Sequence, residues 1–216
     1  NDIKVCVIMV GLPARGKSFI SQKIIRYLSW LSIKAKCFNV GNYRRDVSGN
    51  VPMDAEFFNF ENTDNFKLRE LAAQNAIKDI VNFFTKEDGS VAVFDATNST
   101  RKRRKWLKDI CEKNNIQPMF LESWSNDHEL IINNAKDIGS TSPDYENFEP
   151  HVAEADFLER IRQYERFYEP LDPQKDKDMT FIKLVNIIEE VVINKIRTYL
   201  ESRIVFYVMN IRPKPK

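Results

Sequence analysis

The stretch CVIMVGLPARGKSF, residues 6–19, joins an apolar run to a loop that contains two glycines, a lysine and a serine. Within it, residues 11–18 (GLPARGKS) fit the pattern GxxxxGK[ST]. Glycines let such a loop curl so that successive N–H groups converge on a phosphate, and the following helix adds the positive end of its dipole. We expect Lys17 to bridge the β- and γ-phosphates of a nucleotide and Ser18 to ligate Mg²⁺. An ordinary strand-to-helix turn is the alternative.

The segments that flank this loop predict a strand and a helix. Residues 3–10 form a continuous apolar run rich in β-branched residues, which is typical of a strand buried on both faces of a parallel sheet. Residues 17–31 carry Ile20, Ile24, Leu28 and Leu31 at helical spacing. The pattern repeats downstream, with strands predicted at 35–40, 91–96 and 119–124 and helices at 66–84, 100–114 and 127–138. This alternation predicts an α/β fold, with a mostly parallel sheet and helices on both faces.

The last third of the chain is less regular. Residues 139–150 (GSTSPDYENFEP) predict a polar loop of a length that is usually functional or mobile. A helix is predicted at 155–168 and a strand at 181–188, whereas the periodicity of 191–211 does not decide between helix and strand. We expect one domain over residues 1–211, followed by a linker at 212–216 (RPKPK).

Composition limits the partners. The 216 residues are 43% hydrophobic and carry a formal net charge of only +2, so no global field favours a nucleic acid or a membrane. The apolar runs are far shorter than the roughly 20 residues needed to cross a bilayer. Three cysteines without CxxC spacing suit buried thiols in a reducing compartment, and two histidines offer no metal-ligand spacing. We therefore expect a cytoplasmic protein.

A carboxylate at the end of a neighbouring strand is the usual companion of a P-loop. The strand predicted at 91–96 contains Asp95, followed by Ala96, Thr97 and Asn98. Asp95 is a candidate for holding Mg²⁺ through water or for taking a proton from an attacking hydroxyl. Its alternative role is helix capping, for which residues 97–100 supply better caps.

Several arginines lie where apolar helix faces meet strand ends. Arg103 precedes Leu107 by one turn and is expected to head the buried face of its helix, as Arg69 does for Ala73. Arg160 and Tyr164 share one helix face, and the sequence places Arg44 and Arg45 in a loop after the second strand. Taken singly, each arginine is more simply a solvated charge or an ion pair. Together, beside a P-loop, they favour a small phosphorylated acceptor.

The run of five basic residues at 101–105 allows another interpretation. Such a run occurs in nucleic-acid or nuclear-import patches. On a helix, however, its charges are split across faces, and no aromatic stacking platform accompanies it. We therefore expect no nucleic-acid partner.

Several motifs together resemble one family. MVGLPARGKS, FNVGNYRR, AVFDATNSTRKRR, SPDY, PLDP and SRIVFYVMNI are similar to the kinase domain of the bifunctional 6-phosphofructo-2-kinase/fructose-2,6-bisphosphatase family. The resemblance implies a P-loop kinase-like fold and transfer of the ATP γ-phosphoryl group to the 2-hydroxyl of fructose 6-phosphate, with Mg²⁺. It also implies a downstream histidine-phosphatase domain, and a homodimer is compatible with it.

By position, the resemblance assigns roles to individual residues. It implies catalytic roles for Lys17, Asp95 and Ser125, and Mg²⁺ ligation by Ser18 and Asp95. The ATP-binding positions are Gly11, Leu12, Pro13, Ala14, Arg15, Gly16, Lys17, Ser18, Phe19, Asn134 and Gly139. The fructose 6-phosphate positions are Arg44, Arg69, Thr97, Arg103, Arg160 and Tyr164.

Two positions depart from the family pattern. Ser125 stands where animal members carry a cysteine linked to catalysis, and Gly139 replaces a substrate-binding lysine. Loss of a cation that faces transferring phosphates removes transition-state stabilisation. The sequence therefore leaves open a second hypothesis, in which a kinase-impaired nucleotide-binding domain accompanies a dominant phosphatase.

Overall fold

A six-stranded sheet forms the centre of the computed structural model, which describes residues 3–49 and 51–211. The strands in chain order are Val5–Val10 (β1), Ala35–Asn39 (β2), Val91–Asp95 (β3), Gln117–Trp124 (β4), Phe181–Val185 (β5) and Glu190–Asn194 (β6). Across the sheet the order is β2-β3-β1-β4-β5-β6. β6 is antiparallel to β5, and the other neighbouring pairs are parallel. The predicted mostly parallel α/β fold is confirmed.

Helices cover both faces of this sheet. They are Lys17–Trp30 (α1), Val40–Ser48 (α2), Thr63–Lys86 (α3), Arg101–Lys113 (α4), His128–Thr141 (α5), Pro150–Glu165 (α6) and Tyr199–Met209 (α7). Apolar residues of α1 and α7 form one core with the sheet, and those of α3 and α4 form another on the opposite face.

The central strand β1 supplies both cores. All six of its residues are buried, and because side chains alternate along a strand, successive residues point to opposite faces. Val5, Val7 and Met9 belong to the core of α1 and α7. Cys6, Ile8 and Val10 belong to the core of α3 and α4. The loop that follows β1 therefore starts from a strand fixed on both sides.

The prediction that Arg44 and Arg45 lie in a loop was wrong, because residues 40–48 form helix α2. Asn39 caps this helix, with its side-chain oxygen accepting a hydrogen bond from the Gly41 N–H at 2.8 Å. An asparagine directly before a helix is a favourable N-cap. Asn39 was therefore a sequence signal for the start of α2.

Helix α5 is also longer than predicted. It passes through Gly139 and ends at Thr141, a 3-10 turn follows at Pro143–Tyr145, and α6 begins at Pro150. Residues 139–150 are therefore not one polar loop.

The segment that periodicity left undecided contains both a strand and a helix. β5 ends at Val185, three residues before the predicted end at 188, and β6 follows it. Thr198 and Glu201 then form a reciprocal capping box at the start of α7. The spacing Thr-x-x-Glu was a readable signal for that helix start.

The domain prediction for residues 1–211 and the linker at 212–216 remain predictions, and the linker lies outside the described residues. In the part of the chain that the structure describes, no helix combines the length and the apolar character needed to span a bilayer.

Candidate active site

The carboxyl ends of β1, β2, β3 and β4 meet at one edge of the sheet, where ligands bind in open α/β folds. A cavity of about 1050 Å³ opens there. Its lining includes these predicted site residues: Pro13, Ala14, Gly16, Lys17, Ser18, Phe19, Arg44, Arg69, Asp95, Thr97, Arg103, Asn134, Arg160 and Tyr164. One cavity thus brings the phosphate loop and the predicted acceptor residues together.

Gly11 begins the phosphate loop in a conformation that requires glycine. Its φ is +146°, and a Cβ atom at this position would lie 2.6 Å from the Ser123 carbonyl oxygen. The Gly11 N–H donates to the Thr97 carbonyl at 3.0 Å, which ties the loop to the segment that follows Asp95. The first glycine of the motif therefore permits close packing between the loop and β4.

Two side chains from other elements orient the peptide groups of this loop. The Ser123 hydroxyl donates to the Arg15 carbonyl at 2.6 Å, and the Asn134 amide donates to the Ala14 carbonyl at 2.9 Å. In a trans peptide the N–H points opposite to the carbonyl, so the N–H groups of Arg15 and Gly16 face the other way. Asn134 therefore shapes the loop through its backbone, consistent with its predicted place on the nucleotide side.

Lys17 is buried in the cavity and donates from Nζ to the Leu12 carbonyl at 2.6 Å. Burial lowers the pKa of Lys17 to about 7; the Asp95 carboxylate opposes this, and the Arg15 and Arg160 charges add to it. An ammonium group held in these surroundings gains most from an anion, since a phosphate would replace its lost hydration.

Ser18 and Asp95 form a pair at the mouth of the loop. The Ser18 hydroxyl donates to Asp95 Oδ2 at 2.9 Å. Burial raises the pKa of Asp95, whereas Lys17 and the Ser18 hydrogen bond act in the opposite direction. A hydroxyl and a carboxylate at this separation form a hard oxygen donor set that fits Mg²⁺.

Two asparagines at this edge were missed by the sequence analysis. Asn39 is paired in register with Asp95 across β2 and β3, and its amide lies 3.4 Å from Asp95 Oδ2. Asn98 adopts a positive φ of 45° and donates from its side chain to the Met9 carbonyl at 2.7 Å. Asn98 thereby connects the loop after Asp95 to the end of β1.

The acceptor end of the cavity is built around Asp144, another residue that sequence reasoning missed. Arg45 and Arg160 contact its carboxylate at 2.9 and 3.0 Å, and Arg44 lies at 3.5 Å. Burial and the Arg160 charge lower the pKa of Arg44 to about 10, which Asp144 opposes. The sequence shows Asp144 as part of the SPDY motif, but it does not show which residues Asp144 contacts.

Aromatic rings support the same arginines. The guanidinium groups of Arg160 and Arg44 lie 3.9 and 4.8 Å from the centre of the Phe58 ring. Tyr164 packs against Phe58, with ring centroids 5.7 Å apart. Arg69 is buried, donates to the Phe57 carbonyl at 3.3 Å and leaves Nη2 without a hydrogen-bond partner. Arg44 and Arg160 are thus held over one ring, which directs the edges of their guanidinium groups to hydrogen-bond acceptors such as Asp144.

The prediction that Arg103 heads the buried face of α4 was wrong. Arg104 is the fully buried residue and precedes the buried Leu107 by three positions, whereas Arg103 is half-buried at the cavity wall. Arg104 donates to the Asn98 carbonyl at 3.0 Å, and Arg103 pairs with Glu70 of α3. The basic run at 101–105 is therefore divided between the interior and the surface.

Ser125 lies away from Lys17 and Asp95. It lines a second cavity of about 400 Å³ together with Leu12 and Arg15, on the other side of the phosphate loop. Its hydroxyl donates to Asn186 Oδ1 and accepts from the Asp127 N–H, both at 3.1 Å. The structure therefore places the serine beside the loop, at the start of α5.

Gly139 is buried between α5 and α6. A Cβ atom there would lie 3.2 Å from the Glu154 backbone nitrogen and 3.4 Å from Ala153. Gly139 is not among the described residues that line the two cavities. A side chain introduced at this position would therefore point to the neighbouring helix α6.

A comparison with protein-family models identifies this arrangement. The model described as 6-phosphofructo-2-kinase matches residues 1–215. The chain belongs to the 6-phosphofructo-2-kinase family. The Lys17 loop and the arginines around Asp144 are therefore parts of a 6-phosphofructo-2-kinase domain.

Relatives agree with this family. The chain is 40% identical over 211 residues to 6-phosphofructo-2-kinase/fructose-2,6-bisphosphatase 3 of Rattus norvegicus, covering 97% of this chain and 38% of the relative. It is 42% identical over 210 residues to 6-phosphofructo-2-kinase/fructose-2,6-bisphosphatase 4 of Homo sapiens, covering 97% and 45%. The chain thus spans less than half the length of these relatives.

Solved structures support the fold alone. APS kinase CysC of Mycobacterium tuberculosis, in complex with AMPPNP and APS, matches with a TM-score of 0.54 at 11% identity, over 98% of this chain and 100% of that one. A putative kinase from Chloroflexus aurantiacus matches with a TM-score of 0.54 at 12% identity, over 97% and 99%. The P-loop kinase fold predicted for this 6-phosphofructo-2-kinase domain is confirmed.

Proposed function

We propose that this chain transfers the γ-phosphoryl group of ATP to the 2-hydroxyl of fructose 6-phosphate and thereby forms fructose 2,6-bisphosphate. The observation that carries the proposal is the single cavity whose wall contains both the Lys17 loop and the arginines around Asp144. A phosphate donor site and an acceptor site for an anion then face one another, as direct transfer requires.

The donor half needs few residues. The backbone N–H groups of the loop and the Lys17 ammonium would hold the β- and γ-phosphates, and the charge on Lys17 would stabilise negative charge in the transition state. The base of ATP has room in the second cavity beside Leu12, where Ser125 lies. This position supports a role for Ser125 beside the nucleotide. It does not support direct contact of Ser125 with Lys17 or Asp95.

Mg²⁺ would be held by Ser18 and Asp95, whose oxygen atoms are 2.9 Å apart. When bound, the metal ion supplies charge neutralisation at the phosphates. Asn39, 3.4 Å from Asp95 Oδ2, would help to keep that carboxylate in place.

The acceptor half positions the sugar and removes its proton. Arg44 and Arg160 would bind the 6-phosphate, with Arg69, Arg103, Thr97 and Tyr164 lining the path to Asp95. As the O–P bond to the 2-hydroxyl forms and the bond to ADP breaks, Asp95 would accept the hydroxyl proton. Ser18 and Asn39 both contact Asp95 Oδ2, so Oδ1 is the oxygen that would take this proton.

The intact protein is proposed to contain more than this domain. The names of the relatives combine a kinase with a fructose-2,6-bisphosphatase, and this chain covers only 38% and 45% of two of them. We therefore propose a downstream phosphatase domain. Location in the cytoplasm and a homodimer remain predictions.

The experiment is to measure ADP formation by the intact protein with ATP, Mg²⁺ and a panel of acceptors. We expect saturable ADP formation with fructose 6-phosphate, and little with fructose, which lacks the phosphate. ADP release reports each transfer even if a phosphatase domain later hydrolyses the product. Equal rates with and without fructose 6-phosphate, or a preference for an RNA oligonucleotide with a free 5′-hydroxyl, would reject the proposal.

A further inference from the structure

Asp144 is the one carboxylate in the described ion pairs that contacts three arginines at once. Its side chain is only 2% exposed, and the Arg44 and Arg160 side chains are 10% and 11% exposed. Burying charged groups is costly unless they are paired, so these contacts decide where the guanidinium groups lie.

The charge of this cluster is unbalanced. Arg44, Arg45 and Arg160 face the single carboxylate of Asp144, which leaves two positive charges uncompensated among these four side chains. A phosphate monoester carries a charge of about −1.5 to −2 at neutral pH. The cluster is therefore matched in charge to one phosphate group that comes from the cavity side.

The position of Asp144 is also fixed by contacts other than those of its own carboxylate. Its backbone N–H donates to the Ser142 hydroxyl at 3.2 Å in the 3-10 turn at Pro143–Tyr145. The next residue, Tyr145, donates from its hydroxyl to Asp156 Oδ2 at 2.7 Å, and Asp156 Oδ1 accepts from the Ala55 N–H at 3.1 Å. The turn is thus anchored to α6 and to the segment before Phe57, and it presents a carboxylate of fixed position.

We infer that Asp144 is a positioning residue for the acceptor site: its carboxylate holds Arg44 and Arg160 side by side over Phe58, so that the N–H groups not directed at Asp144 are set for one phosphate. This inference rests on the proposed function. Without the carboxylate, two like charges over one ring would repel each other and turn towards solvent. Asp144 does not reach the reacting atoms in this role; it acts through the arginines.

The opposite role is also testable. A carboxylate in this place could compete with the substrate phosphate for the arginines, and its removal would then strengthen substrate binding. The fixed turn and the surplus of two positive charges favour positioning, because the arginines can serve the carboxylate and a dianion together.

The experiment compares Asp144→Asn with the parent in the intact protein. We expect KM for fructose 6-phosphate to rise about 10- to 100-fold, with kcat within about threefold and the affinity for ATP within about twofold, since the phosphate loop is untouched. Asp144→Glu, which keeps the charge, should recover a large part of the loss. Circular dichroism and the melting temperature report on folding.

Asp176→Asn is the matched control, because Asp176 is a similarly buried carboxylate that contacts an arginine, Arg101 at 3.4 Å, outside the lining of the cavity. It should change KM by less than about threefold. An unchanged or lowered KM in Asp144→Asn, an equal rise in Asp176→Asn, or a Glu variant as impaired as the Asn variant would overturn the positioning role alone. A parent protein that neither binds nor phosphorylates fructose 6-phosphate would overturn the proposed function as well, so the two failures are distinguishable.

Discussion

The two ends of the cavity are built differently. The phosphate loop is one continuous segment at the end of β1, and its shape depends on backbone conformation at Gly11 and Gly16. The acceptor end is assembled from side chains of α2, α3, α6 and the turn that carries Asp144. A site made of backbone is sensitive to the loss of a glycine, whereas a site made of arginines is sensitive to the loss of charge and fork geometry.

We expect the largest effect on activity from a substitution at Asp95, where the two ends of the cavity meet. Asp95→Asn keeps the size of the side chain and an acceptor for Ser18, but removes the base and one metal ligand. We expect kcat to fall by about 10²- to 10⁴-fold, as for the loss of a general base. Initial rates of ADP formation with saturating fructose 6-phosphate measure this effect.

Asp79→Asn is a suitable control, because Asp79 also accepts a hydrogen bond from a hydroxyl, that of Tyr43 at 2.7 Å, but lies outside the cavity lining. Its activity should stay within about twofold of the parent. Comparable activity of Asp95→Asn and Asp79→Asn would show that the two ends do not meet at Asp95.

The backbone end is tested by Gly11→Ala. The added Cβ would collide with the Ser123 carbonyl at 2.6 Å, and the positive φ adds strain of about 1–3 kcal/mol. We expect ATP affinity to fall about tenfold or more, measured by calorimetric titration. Gly49→Ala is the control for a positive-φ glycine outside the loop, since Gly49 has φ +58° and nothing within 4 Å of an added Cβ. If both variants lose ATP binding equally, or neither does, the close approach at Gly11 has no functional role.

The side-chain end is tested by Arg160→Lys. Lysine keeps the charge but lacks the planar fork that contacts Asp144 and lies over Phe58. We predict a rise of about tenfold in KM for fructose 6-phosphate with ATP affinity retained, from steady-state kinetics in both substrates. Arg166→Lys, directly after the same helix and paired with the exposed Glu61, lies outside the linings of both cavities and should be neutral. A loss of ATP affinity in Arg160→Lys would contradict the division between the two ends.

The smallest effect on activity is expected at Gly139, which belongs to neither end. A lysine there would have to displace the backbone of α6 at Ala153 and Glu154, so the free energy of unfolding should fall by about 1–3 kcal/mol. Activity should not increase. Denaturant unfolding and initial rates test both statements. A several-fold gain in kcat for Gly139→Lys would support the hypothesis of a domain impaired by its missing lysine.

The two halves of the site also differ in how much of each could be predicted from the sequence. The donor half is local: the glycines, Lys17 and Ser18 lie within eight consecutive residues, and Asp95 ends a recognisable strand. The acceptor half is nonlocal. Arg45 and Asp144 are separated by 99 residues, and no periodicity within either segment encodes their contact.

The sequence pattern also predicted the wrong residue where two neighbouring residues both fit the helical spacing. Arg103 and Arg104 are adjacent, and a helical spacing of three or four residues to Leu107 fits both. Only the packing of α4 against the sheet places Arg104 inside. Gly139 resembled a helix stop in the sequence, whereas the structure uses its small size for contact between two helices.

The most direct test of one shared cavity is the stereochemistry of transfer. ATP made chiral at its γ-phosphorus with oxygen isotopes would be used in a brief reaction of the intact protein with fructose 6-phosphate. Transfer directly from the loop to an acceptor held by Arg44 and Arg160 predicts inversion of configuration in the product. Retention would require two successive transfers through a phosphorylated residue, and it would contradict the account in which both substrates meet beside Asp95.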